Sequence, residues 1–157
     1  MTDNFVVKYS INSAWGIVKE IREKVGSLLQ DRQKDLVDAT MMTVSELIEN
    51  AIKYGTPVSS STDIDFELTI TDRTISISIS NGIVAMSDYE NVKRHLDLIG
   101  QSDNPGELYT KRLMELMENP RPGVSQLGLY RIAYEGEFSL SYRFENKILT
   151  IFAERAI

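Results

Sequence analysis

The chain reads as an α+β protein, a two-layer α/β sandwich with helices on one face of a mixed sheet. Three features predict this. Apolar residues recur every three or four positions through much of 11–54, strict two-residue alternation follows between 66 and 79, and two further alternating runs close the chain at 138–153.

Residues 5–10 read as a short strand. From 11 to 31 the apolar residues Ile11, Trp15, Val18, Ile21, Val25 and Leu28 mark an amphipathic helix. A second helix is predicted over 33–54, with Val37, Met41, Val44, Ile48 and Ala51 on one stripe, and Gly55 and Pro57 as its stop. A Ser-rich loop follows at 56–63. Phe66, Leu68 and Ile70, then Ile75, Ile77 and Ile79, alternate with polar residues on either side of Thr71-Asp72-Arg73, the pattern of an antiparallel hairpin with one buried face. The other face is serine, threonine and glutamate, so helices are expected on one side only. Residues 83–122 form a long polar insertion with two weaker helices, 87–98 and 106–118, punctuated by Asn104-Pro105 and by 120–123. A short helix over 125–133 and two strands, 138–144 and 147–153, joined by Glu145 and Asn146, complete a single domain over 1–157.

The composition suits a packed core: of 157 residues, 42% are hydrophobic and 25% charged, with nine Gly and four Pro, which excludes disordered and collagen-like chains. A net charge of −6, from 17 basic and 23 acidic residues, disfavours binding to nucleic acid. The absence of cysteine removes disulfides, thiolate metal sites and thiol catalysis, and a single histidine, His95, leaves no Ser-His-Asp arrangement. No apolar run approaches the ~20 residues of a membrane helix. The chain opens without a leader-like pattern, so a cytoplasmic protein is expected.

The chemistry-bearing pattern lies on the second helix. In Glu46-Leu47-Ile48-Glu49-Asn50-Ala51-Ile52-Lys53-Tyr54-Gly55, Glu46 and Asn50 are four residues apart and share one helical face, off the apolar stripe. A carboxylate beside an amide oxygen suits positioning of a hydroxyl and oxygen ligation of a hard cation. The same pattern also describes a solvated polar face. The whole string closely resembles the N-box of the histidine-kinase-type (GHKL) ATPase superfamily, which includes gyrase-type ATPases, and is most similar to the anti-sigma-factor serine kinases and SiaB-type protein kinases. The resemblance implies a Bergerat-type ATP-binding fold, with Asn50 as Mg²⁺ ligand, Glu46 as base for the attacked hydroxyl, Lys53 at the nucleotide, and residues 83–122 as a lid.

In that family an Asp-x-Gly ending the third strand meets adenine. Here the strand reads Ile77-Ser78-Ile79-Ser80-Asn81-Gly82-Ile83. Motif spacing alone puts Ser80 at the aspartate position with Gly82 as its glycine. Strand parity instead puts Asn81 on the side of Ile77 and Ile79, leaving Ile83 where the glycine belongs. An asparagine keeps acceptor and donor but loses the charge, and the alternative is a plain Asn-Gly turn. A glycine-rich segment resembling the family's phosphate loop is Gly123-Val124-Ser125-Gln126-Leu127-Gly128-Leu129, with Gln126 in place of a glycine. Glycines there let backbone amides approach phosphate at a helix N-terminus, so Gln126 either narrows that cradle or supplies its own amide. Gly128 alternatively serves close packing alone.

Lys93, Arg94, Lys111, Arg112 and Arg121 are the cations available to a triphosphate. His95 is expected on the lid surface, Met114 and Met117 packing the lid helix, Tyr130 and Tyr134 as packing residues, and Thr150 near adenine. The resemblance implies an ATP-dependent Ser/Thr protein kinase-like regulator acting on a partner protein similar to an anti-sigma-factor antagonist, with a homodimer as its relatives suggest. The substitutions at Asn81, Ile83 and Gln126 support the alternative of a non-catalytic, protein-binding regulator.

Overall fold

The computed structural model describes residues 5–11, 16–54, 64–83, 85–119 and 127–157. The loop expected at 56–63, together with Gly55, Gly123, Gln126 and Arg121, lies outside them. The elements run β1 (Phe5–Ile11), α1 (Gly16–Leu28), α2 (Lys34–Tyr54), β2 (Ile64–Ile70), β3 (Thr74–Gly82), α3 (Met86–Gln101), α4 (Pro105–Glu118), α5 (Leu127–Tyr134), β4 (Ser139–Glu145) and β5 (Ile148–Ala156).

The five strands form one sheet in the order β1-β2-β3-β5-β4. The two-layer α+β fold is the one expected, and of the mixed or antiparallel sheets that the sequence pattern allows, every pairing is antiparallel. Parallel neighbours need a crossover connection. Here β2–β3 and β4–β5 are hairpins, and a helix pair separates β1 from β2. The turn between β4 and β5 is Asn146-Lys147, one residue later than expected, with both residues at positive φ (53° and 62°), as a two-residue primed turn requires.

Alternation decides which face is covered. Ile75, Ile77 and Ile79 are buried and pair in register with Ile70, Leu68 and Phe66 on one side, and Ile77 and Ile79 with Ala153 and Ile151 on the other. Ile21, Val25 and Leu29 from the α1 segment and Val44, Leu47, Ile48 and Ala51 from α2 bury against this face. The buried stripe of α2 is wider than predicted, because Thr40 and Thr43 also face inward and donate their hydroxyls to the carbonyls of Leu36 and Ala39, each at 2.8 Å.

The insertion divides into two unlike helices. In α3, Val92, His95, Leu96 and Ile99 are buried. Tyr89 meets Phe144 of β4 edge-on, and Tyr142 of β4 donates to Asp97 at 2.7 Å, so this helix packs onto the core. Asn104 caps α4 by accepting from the Glu107 amide at 3.1 Å, with Pro105 opening the helix. No residue of α4 is buried. Met114 and Met117, expected to pack, are 56% and 76% exposed, because α4 lies on α5 and not on the sheet.

The alternation makes a testable contrast between neighbours on β3. Ile77→Ala is expected to cost about 2–4 kcal/mol through the cavity it opens, and Ser78→Ala to stay within about 0.5 kcal/mol. Urea unfolding of the two variants measures both, and similar losses would contradict the covered-face assignment.

Candidate functional site

The polar side of α2 turns inward at Asn50. Its amide nitrogen is buried and without a hydrogen-bond partner among the described residues. An unsatisfied buried amide costs about 1–3 kcal/mol, so its position calls for a reason. Asn50 lines a small cavity with Asn81 at the end of β3, walled by Leu47, Ile79, Val92 and Ile151. Asn81 is buried and donates to the Gly82 carbonyl at 3.2 Å. Strand parity therefore selects the residue that meets α2, and Ser80 faces the other way. The cavity holds about 20 Å³, with Val92 of α3 forming part of its roof. That is room for about one water, set against the ~300–1,000 Å³ of small-molecule pockets.

Glu46, one turn earlier, does not line this cavity. Its carboxylate turns toward α5, where Arg131 Nη1 lies 3.1 Å from Oε1. Gly128 makes the approach possible: a Cβ there would stand 2.9 Å from Glu46 Cδ and closer still to Oε2. Burial raises the Glu46 pKa above the ordinary glutamate value. Arg131 opposes this, while Glu49 and Glu135 reinforce it. Arg131 also binds Glu135 through Nε at 3.1 Å, so its charge is shared between two carboxylates. That sharing is consistent with burial outweighing the ion pair at Glu46.

Of the expected site residues, Asn50, Asn81 and Gly82 gather at the cavity end, while Glu46, Leu127 and Gly128 gather where α2 meets α5. Lys53 belongs to α2, but its side chain lies outside the description. Thr150 is misplaced by the sequence reading. It pairs with Ser80 across β3 and β5, and the two hydroxyls meet at 2.7 Å on the sheet face away from Asn81. The parity that favours Asn81 over Ser80 removes Thr150 as well.

His95 is also corrected. It is 3% exposed, and its Nδ1 lies 2.5 Å from the Tyr130 hydroxyl. Burial, then the charges of Arg112 and Arg94, lower its pKa from 6.5 to about 4. The spacing Val92, His95-Leu96, Ile99 already places it in the apolar stripe of α3. Tyr130 packs as expected, whereas Tyr134 is 49% exposed beside Tyr109. Among the cations, Lys93 is held by Asp97 at 2.7 Å and Arg112 by Glu115 at 3.2 Å. Arg131 was missed by the sequence reading. The signal was present in its position three residues after Gly128, on the same face of α5.

The described residues hold no cluster of three or more His, Asp or Glu side chains able to bind a metal, and none of their helices is long and apolar enough to cross a membrane.

Two measurements follow. Gly128→Ala is expected to stabilise a Glu46→Ala background by about 0.5–1 kcal/mol, the helix-interior difference between the two residues. With Glu46 present, that gain should disappear. Equal effects in both backgrounds would show that the carboxylate is not seated on Gly128. His95 is expected to stay neutral down to about pH 4. The unfolded chain binds a proton near 6.5, so this group's contribution to stability is complete above pH 6.5 and fades as the pH falls toward 4. As the sole histidine it gives one imidazole titration by NMR, and a midpoint near 6.5 would refute its burial.

No family model and no curated protein sequence matches the chain. Among solved structures, a chain from the SiaB–SiaC complex of Pseudomonas aeruginosa is similar in fold, with a TM-score of 0.67, 13% sequence identity, and coverage of 98% of this chain and 89% of that one. The chain thus shares its α+β fold with a component of that two-protein complex.

Proposed function

We propose that the protein is a partner-binding regulator of the SiaB and anti-sigma-factor kinase type, an ATP-dependent Ser/Thr protein kinase whose site is closed in the conformation described. One observation carries the reading: the buried amide nitrogen of Asn50, without a partner among the described residues, in a cavity shared with Asn81 and one turn from a carboxylate with a raised pKa. The donor set fits Mg-ATP. Asn50 has an amide oxygen for a hard cation, and Asn81 offers both a donor and an acceptor to a purine edge. When bound, the nucleotide supplies the transferable phosphoryl group.

The remaining work falls to the chain. A glutamate with a raised pKa is the better proton acceptor, so Glu46 is suited to accept the proton of a partner hydroxyl once Arg131 releases it. Admission of a purine requires α3, with Val92, to move off the cavity. The partner is a regulatory protein, in keeping with the two-protein complex that contains the fold neighbour. An anti-sigma-factor-antagonist-like partner and a homodimeric assembly extend the same reading.

A second reading is favoured by the room itself. A cavity of about 20 Å³ and a Glu46 already engaged by Arg131 suit a regulator that binds its partner without turning over nucleotide.

Calorimetry with Mg-ATP and Mg-ADP separates the two. Saturable binding that Asn50→Ala weakens at least about tenfold, the scale of a lost bond to a charged group, is expected for the kinase. Glu46→Gln should retain nucleotide and lose transfer to a partner. A wild-type protein that takes up no heat with either nucleotide leaves the non-catalytic regulator.

A further inference from the structure

A cleft of about 240 Å³ lies between α3, α4 and α5, and it shares no lining residue with the Asn50 cavity. His95 and Tyr130 line it, both buried. Its charged lining is Arg94 from α3 with Lys111, Arg112 and Glu115 from α4. Three cations thus face one carboxylate, in a chain whose overall charge is −6. Glu115 is engaged by Arg112, while Arg94 and Lys111 are exposed.

The hydrogen inventory sharpens this. Arg94 Nη2 lies 3.5 Å from His95 Nε2 and 3.1 Å from Asn91 Oδ1. His95 Nδ1 and the Tyr130 hydroxyl are paired with each other. Burial keeps Tyr130 a phenol and His95 uncharged. Among the charged groups lining the cleft, the donors are Arg94, Lys111 and Arg112, and the carboxylate acceptor is already bound to Arg112. Such a surface suits a ligand rich in acceptors and carrying more than one negative charge. A phosphoryl group meets both conditions, and a carboxylate meets them less well.

We propose that this cleft binds a phosphoryl oxyanion, held by Arg94 and Lys111, with the charge of Arg112 beside them. The site is independent of the nucleotide reading at Asn50, because the two cavities have no residue in common. The oxyanion has two sources, a free phosphate or the phosphate tail of a nucleotide.

The experiment titrates inorganic phosphate, pyrophosphate, ADP and adenosine into the protein at matched ionic strength, following the single histidine by NMR. Phosphate and pyrophosphate are expected to shift the His95 resonances saturably. Lys111→Ala and Arg94→Ala, both at exposed positions, should each weaken that response about tenfold. ADP acting more strongly than pyrophosphate identifies a nucleotide tail as the source, and the reverse identifies free phosphate. The proposal is overturned if phosphate and pyrophosphate produce no saturable shift, if neither cation variant changes it, or if adenosine reproduces it.

Discussion

The two-residue period of β3 is the constraint on which the rest of the molecule depends. Three isoleucines at alternate positions fix the covered face of the sheet, and the strand then carries that parity into Asn81. An asparagine placed by parity in a hydrophobic layer has few partners within reach. It shares a cavity with another asparagine, from α2, whose amide nitrogen has no partner among the described residues. Polar groups in such a layer are costly, so a pair of them where the central strand meets the longest helix marks the place where the fold departs from simple packing.

Much of the architecture was legible because helices and strands announce themselves by different periods. Every expected element is present among the described residues, and most differ from the prediction only at their ends. Interactions between elements were less legible. Nothing local in the sequence says that Arg131 crosses to Glu46, since the two are 85 residues apart and meet only when α5 lies on α2. Thr150 illustrates a different failure. A short motif transferred by position alone ignores the sheet face, and the pairing of Ser80 with Thr150 settles which face that is. His95 was readable from its spacing but was obscured by its polar character.

The insertion shows how polarity can mislead about role. Both of its helices are rich in charge, yet α3 buries four side chains and roofs the Asn50 cavity, whereas α4 buries none. The difference lies in what each helix meets. α3 lies against β4, with Tyr89 and Asp97 reaching Phe144 and Tyr142. Closure of the small cavity is therefore tied to the edge of the sheet, and any opening there has to disturb aromatic contacts at β4.

The shallow seating of α4 has an energetic corollary. A helix whose apolar contacts are only partly buried, as at Leu108 and Tyr109, forfeits less hydrophobic stabilisation when it detaches than one seated in the core, so its backbone amides are expected to exchange before those of the central strands. Anything that bridges it to its neighbours raises that local opening free energy through mass action, turning this shallowly seated helix into a reporter of occupancy.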